Sequence, residues 1–425
     1  MRWRILFAII DLLGSAAFTT ARAACALWRF PYPGKIRPPN QPPADPRRIL
    51  LIQLDHLGDA IISTVMLGPL RRRYPRASIE ILAAPRNREL FETLPEVNRV
   101  RVSQWNRFGR GRRLGWIPAT IWWGLRLRRR KYDLAIDVRG EFPHALLMWL
   151  SGAPRRLGWD SGGGGFLLTD RPRFVPGRAE VQSRMALLGE LGIEPALGQE
   201  VWRPAFPVDP QTSRRMEALW ETSSTGASLG PRIVLHVGAG TRAKAWPPRH
   251  WRELIGRLVL QFDARLALIG DLDDCSVAHQ ILGPKPPAGV IDCTGKLDID
   301  RLAGLLLRAD LFVGADSGPA HLAAAVGTPV VVLFSGTNLA RQWQPWGRHV
   351  GVVSRPVPCS PCHRQCCRWP DHPCMNGLSP DRVAGEVERT MAELIRPRGS
   401  RPTDRTAARI TTVPHARKNC SKKTL

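Results

Sequence analysis

Short apolar runs alternate with amphipathic segments along most of the chain. In the first half, Arg48 to Leu54, Ser78 to Ala84, Arg99 to Gln104 and Asp133 to Val138 read as strands, each a brief Ile-, Leu- or Val-rich run bounded by polar or turn residues. Between the first two, Asp59 to Arg73 spaces its apolar residues as a helix does. A second series follows: Arg232 to Val237, Arg265 to Gly270, Gly289 to Cys293, Asp310 to Gly314 and Pro329 to Phe334, each leading into a glycine-containing turn or a helix. Strands that alternate with helices pack as parallel sheets covered on both faces. The predicted fold class is α/β, with two Rossmann-like, doubly wound domains.

Breaks in the pattern set the domain limits. Residues 1–46 combine an amphipathic N-terminal helix with a Pro-rich linker, "RFPYPGKIRPPNQPPADP" at 29–46. Residues 47–205 form the first Rossmann-like domain, and 206–231, rich in Pro, Ser, Gly and Thr, are the linker. Residues 232–395 form the second, with a Cys-rich segment and a terminal helix. Residues 396–425 are basic, lack apolar periodicity and read as a disordered tail. In the first 30 residues Asp11 interrupts the apolar run, and Ile5 to Ala21 falls short of the roughly 20 residues of a membrane-spanning helix. Arg4, Asp11, Ser15, Arg22 and Arg29 share one stripe of that helix, the pattern of an interfacial membrane helix; a cleaved signal or a true anchor is the rival reading.

Charge narrows the partners. Sixty-two Lys and Arg against 36 Asp and Glu leave a formal net charge of +26, which favours anionic partners: nucleic acid, phosphorylated lipid or a nucleotide. No nucleic-acid-binding module is present, so nucleic acid is the weaker use of that charge. Residues 110–131, "RGRRLGWIPATIWWGLRLRRRK", mix aromatic and basic side chains and read either as a contact with lipid headgroups or as a buried helix with solvated arginines. Five of the nine cysteines fall between Cys359 and Cys374 with spacing C-x2-C-x3-C-C-x6-C; His363 and His372 lie among them. This single cluster lacks the paired C-x2-C of a zinc ribbon, and no metal is predicted.

Three motifs sit where strands give way to helices, the edge at which parallel sheets bind ligands. In "DHLGDAIIST" Gly58 permits close backbone approach and Asp59 opens the helix; Asp55 and His56 read equally as turn residues. "LHVGAGTRAKAWPPRHW" ends a strand in Gly238-Ala239-Gly240 and then offers Thr241, Arg242 and Lys244, a set suited to phosphate, although it matches neither the dinucleotide fingerprint nor the P-loop. In "LFVGADSGPAHLAAAVGTPVVVLF" Pro319 fits the first helical position. The amides of Ser317 and Gly318, with the Ser317 hydroxyl, then face an anion; Asp316 is a cap or a sugar ligand, and His321 a phosphate donor or a core histidine.

Taken in order, "RRILLIQLDHLGDAIISTVMLGPLRRRYP", "LHVGAGTRAKAWPPRHW" and "DSGPAHLAAAVGTPVVVLFSGTNLARQWQPWG" resemble three successive signatures of the family 9 glycosyltransferases, the lipopolysaccharide heptosyltransferases. "DLAIDVRGEFPHALLMWLSGAPRRLGW" is similar to a fourth, and the resemblance spans about residues 47–393. It implies a GT-B fold, two Rossmann-like domains facing a central cleft. It also implies inverting, metal-independent transfer of a heptose from an ADP-sugar, with no cofactor, to a lipopolysaccharide core or similar lipid-linked anionic acceptor at the inner face of the cytoplasmic membrane.

The family's catalytic base falls on Asp59. Its donor-phosphate lysine falls on Lys244 and its Asp-x-Gly-x-x-His-Leu element on Asp316, Gly318, His321 and Leu322, with Ser317 where threonine is also usual; Thr241, from the reading of its own turn, joins them as a donor-binding candidate, and the acceptor-facing segment offers Arg139, His144 and Arg156. The acidic residue near the donor ribose has three possible positions, Asp271, Asp273 and Asp274. Two rivals share the fold: a non-hydrolysing sugar-nucleotide epimerase, and a catalytically silent membrane-associated scaffold.

Overall fold

Strand β1 (Arg48–Gln53) is buried from Ile49 onward, as a central strand covered on both faces must be. The computed structural model describes residues 45–104, 116–194, 203–222 and 230–395; the expected N-terminal helix and basic tail lie outside them. Strands β2 (Ser78–Ala83), β3 (Arg99–Val102), β4 (Leu134–Asp137) and β5 (Arg155–Leu157) complete a parallel sheet in the order β3-β2-β1-β4-β5. The second parallel sheet contains β6 (Arg232–His236), β7 (Arg265–Ile269), β8 (Val290–Asp292), β9 (Leu311–Ala315), β10 (Val330–Phe334) and β11 (Val350–Ser354), in the order β11-β10-β9-β6-β7-β8.

Strand order reverses between β1 and β4 in the first sheet and between β6 and β9 in the second. Loops leaving neighbouring strands at such a point diverge to opposite faces and open a crevice. All three sequence motifs leave strands at these two reversals, after β1, β6 and β9.

One apolar cluster runs through both domains, from Ile49, Ile61 and Leu187 to Phe312, Ala320 and Val330. Separate cores lie on the outer faces, around Leu50, Trp123 and Met148 in the first domain and around Leu235, Trp251 and Val383 in the second. The shared cluster packs the helix Leu57–Ser63 against the helix Gly318–Ala325 and so fixes the walls of the cleft. Among the described residues no helix is long and apolar enough to cross a membrane.

Three local expectations change. The segment expected as one helix, Asp59 to Arg73, is two, Leu57–Ser63 and Leu67–Arg73, joined by a 3-10 turn at Thr64–Met66. Pro69 has no N–H for the carbonyl of Val65, so continuous α geometry is lost one turn before it. The linker contains a helix, Pro210–Thr222. Met216 and the fully buried Trp220 anchor it, Arg308 Nε donates to Ser213 Oγ at 2.8 Å, and Arg232 pairs with Glu217 at 2.6 Å, so this helix belongs to the second domain. Strands β5 and β11 add to the expected set: three residues are too few to show a period, and Gly351 interrupts the short apolar run of β11.

Candidate functional site

The reversal in the first sheet gathers six charged side chains, Asp55, Asp59, Arg139, Glu141, Glu180 and Arg184. Asp59 stands in the first turn of Leu57–Ser63 with its side chain 12% exposed. Burial, then the charge of Asp55, pushes its pKa up to about 7 against the pull of Arg184 and Arg139. Arg184 Nη2 lies 3.6 Å from Asp59 Oδ1, while the same guanidinium is hydrogen-bonded to Glu180, one turn earlier on the helix Glu180–Gly189. Arg139 hydrogen-bonds Asp55, and its Nε donates to Glu141 Oε1 at 2.6 Å. Asp55 is therefore an ion-pair partner of Arg139, whereas Asp59 has no closer cation than Arg184 among the described residues.

Gly58 marks a close approach and not a special backbone angle. A Cβ at this position would lie 3.1 Å from His321 Cδ2 and 3.7 Å from the Gly318 Cα, so a side chain here would press on the His321 ring where the two helix starts meet. His321 is buried at this contact, and burial drops its pKa to about 4, leaving a neutral imidazole.

On the opposite wall, the turn after β6 holds Lys244. Its Nζ donates to Asp316 Oδ2 at 2.6 Å and to the Asp316 carbonyl at 3.1 Å, and Asn338 Nδ2 donates to the same carboxylate oxygen at 2.9 Å. Asp316 thus holds the ammonium in place at the start of Gly318–Ala325. Thr241 Oγ1, three residues before Lys244, is buried and makes no hydrogen bond among the described residues. The helix Gly318–Ala325 begins with Ser317 extended and Pro319 in its first turn, so its early amides point out of the helix.

The Ser317 hydroxyl, expected as a donor to an anion, has two partners inside the protein. Ser317 Oγ bonds the Ala315 carbonyl at 3.0 Å and His236 Nδ1 at 3.1 Å. A carbonyl only accepts, so the one hydroxyl proton goes to Ala315 and His236 Nδ1–H donates to Oγ. Burial pushes His236 down to about 4, which keeps the neutral ring that this arrangement uses.

Two of the expected acceptor contacts are engaged inside the first domain. His144 is buried, its Nδ1 2.8 Å from Asp137 Oδ1. Although burial opposes both charges, each partner stabilises the other's ionised form: Asp137 is held below the usual carboxylate range and His144 above the usual imidazole value. Asp137 also accepts from the Gly140 and Arg139 amides at 2.7 and 3.2 Å, so the pair shapes the loop that carries Arg139. Arg156 is buried and donates to the carbonyls of Leu167 at 2.6 Å and Ala153 at 2.7 Å. Of the three, Arg139 alone stays part-exposed at the crevice.

Sequence reasoning did not single out Arg184, Glu180, Asp137, His236, Asn338 or Gln342. Glu180 and Arg184 did carry a signal: charges spaced i, i+4 among Val181, Met185 and Leu188, on a helix face that is buried. Gln342 Nε2 donates to Glu180 Oε1 at 2.8 Å and ties the second domain to this pair. Asp271 and Asp274 cap the 3-10 turn Leu272–Asp274; Asp274 lies directly against Gly238, where a Cβ would come within 1.9 Å of its Oδ2. The Cys-rich segment crosses the turn that carries Lys244, with the Ala243 amide donating to the Gln365 carbonyl at 2.9 Å and His372 Nε2 3.1 Å from the Ala243 carbonyl.

Comparison with known proteins places this geometry in context. The model of glycosyltransferase family 9 (heptosyltransferase) matches residues 123–372. Lipopolysaccharide heptosyltransferase 2 of Escherichia coli K12 is 28% identical over 302 residues, 68% of this chain and 83% of that protein. Lipopolysaccharide heptosyltransferase 3 of Escherichia coli is 25% identical over 299 residues, covering 69% and 84%. The solved structure of E. coli ADP-heptose lipopolysaccharide heptosyltransferase II superposes with a TM-score of 0.65 at 24% identity, over 82% of this chain and 99% of that one.

Proposed function

Because the chain belongs to glycosyltransferase family 9, the heptosyltransferases, we propose that it transfers a heptose from ADP-heptose to a lipopolysaccharide core or similar lipid-linked acceptor, with inversion and without a metal. The observation that carries this reading is Asp59, a carboxylate with a pKa of about 7 at the cleft, facing the domain that holds Lys244. A base is most useful when its pKa lies near the working pH, where it is both ionised and basic.

In the proposed step the Asp59 carboxylate accepts the proton of an acceptor hydroxyl as that oxygen bonds to the anomeric carbon. The bond from that carbon to the diphosphate breaks on the opposite face, and ADP leaves with the electron pair. Lys244, Thr241 and the early amides of Gly318–Ala325 are the proposed ligands of the diphosphate, with the neutral His321 imidazole as a further donor. An ammonium and a helix N-terminus stabilise the charge that develops there, the role a metal fills in other designs. Arg139 is the proposed contact for an anionic group on the acceptor.

The enzyme is proposed to work at the inner face of the cytoplasmic membrane, where lipid-linked acceptor and nucleotide sugar meet. Incubation with ADP-, UDP- and GDP-sugars, with and without truncated lipopolysaccharide, tests the reading. Acceptor-dependent release of ADP from ADP-heptose is expected. Epimerised sugar nucleotide without acceptor, or no turnover with any donor, would overturn it.

A further inference from the structure

Among the described residues three of the eight exposed large apolar side chains lie on one helix, Trp116–Arg128: Ile121, Trp122 and Leu125, exposed by 42%, 52% and 54%. Exposed single residues are ordinary, but three on one face with Pro118 form a contiguous apolar stripe. At about 100° per residue the four fall within roughly 100° of arc, with Arg128 on one edge, Arg126 on the other and Arg129 at the end. All three arginines are exposed, and Arg126 lies over the Trp122 ring at 5.1 Å from its centroid. Residues 116–131 contain no Asp or Glu.

The opposite face is firmly seated. Ala119, Thr120, Trp123, Gly124 and Leu127 are buried, and a Cβ on Gly124 would fall 2.3 Å from Leu150 Cβ, so the helix lies tight against Phe142–Leu150. The outward stripe is thus presented by a rigid element and is not left over from loose packing.

We propose that this outer face docks on an anionic lipid bilayer, Ile121, Trp122 and Leu125 entering the boundary between headgroups and acyl chains while Arg126, Arg128 and Arg129 meet lipid phosphates. Charge selects the occupant. An apolar stripe edged by arginines matches an interfacial helix on an anionic surface. A second copy of the chain, placed face to face, would oppose arginine to arginine. The proposed lipid-linked acceptor supplies the purpose: Trp116 packs edge-on against Phe142 at 5.9 Å between ring centroids, and Phe142 directly follows the Arg139–Glu141 loop, so a bilayer on this face lies beside the acceptor side of the cleft.

Hydroxyl-radical footprinting of the full chain tests this with neither donor nor acceptor present, so its outcome is independent of the proposed reaction. Oxidation of Trp122 should fall severalfold when phosphatidylcholine vesicles containing phosphatidylglycerol are added, and little with phosphatidylcholine alone. Trp369, 48% exposed and remote in sequence, should not change and serves as the internal control. In co-sedimentation, the double variant Trp122→Ser/Leu125→Ser should bind the anionic vesicles about tenfold less than wild type. The matched variant Leu260→Ser, at a leucine 86% exposed on another helix, should bind as wild type does. Protein that binds with Trp122 unprotected would overturn the proposal. So would equal protection by both vesicles, or protection that grows with protein concentration before any lipid is added, the mark of a second copy.

Discussion

Arg184 stands between two carboxylates, hydrogen-bonded to Glu180 and 3.6 Å from Asp59. One guanidinium divided in this way leaves Asp59 only partly compensated, so burial and the Asp55 charge keep its pKa near 7. The rate limb follows. With Asp59 as the base, kcat/KM should rise with pH and level off above about 7. Asp59→Ala should lower turnover by at least about 100-fold with ADP affinity retained. Glu180 raises the Asp59 pKa, so Glu180→Gln should move the limb to lower pH; Asp55→Asn should do the same while keeping most of the turnover. A larger loss in Asp55→Asn than in Asp59→Ala would transfer the role of base to Asp55.

The same group links stability to pH. Asp59 is raised from 3.8 to about 7 in the folded chain, so the folded state holds its proton more tightly and loses stability as pH rises through that window. Three units correspond to at most about 4 kcal/mol. Asp59→Asn should therefore melt higher than wild type at pH 8, with the advantage shrinking toward pH 4. Calorimetry at the two pH values checks this; equal melting at pH 8 would show that the carboxylate carries no penalty.

Lys244 and Ser317 separate two kinds of donor. Lys244→Ala should weaken ADP binding by about 10- to 100-fold, as loss of a hydrogen bond to a charged group does. Ser317→Ala should change it by less than about threefold, because the hydroxyl proton is spent on the Ala315 carbonyl. Chelator should leave activity unchanged. Titration calorimetry with ADP reads the two variants, and activity lost to chelator and restored by magnesium would refute the account of leaving-group stabilisation.

His144 offers a contrast between structural and acceptor roles. Its pair with Asp137 is buried, so His144→Ala should lose about 3 to 5 kcal/mol of stability with little change in the acceptor KM of the folded fraction. The raised His144 contributes stability below its unfolded pKa of 6.5 that is lost as pH rises through its folded value. The lowered Asp137 contributes stability above 3.8 that is lost as pH falls through its folded value. Denaturant unfolding should thus show the wild-type advantage over His144→Ala largest between about pH 4 and 6.5. A raised KM at unchanged stability would return His144 to the acceptor site.

Hydrophobic periodicity was enough to reveal most strands, the two-domain α/β plan and the strand ends at which Asp59, Lys244 and Asp316 stand, because each is a local property of a few consecutive residues. Family signatures could be read for the same reason, as short contiguous strings. Local pattern did not reveal the three-residue β5, the helix Pro210–Thr222 inside a turn-rich stretch, or the break imposed by Pro69. The division of labour among charges was decided in three dimensions. Arg184 meets Asp59 from 125 residues away, Gln342 reaches Glu180 across 162, and His236 donates to the Ser317 oxygen across 81. His144 and Arg156 look like ligands in sequence and are buried tethers in the fold. A residue's identity fixes what it can donate, accept or ionise; which partner satisfies it, and how much water is left around it, depends on elements the chain brings together only when it folds.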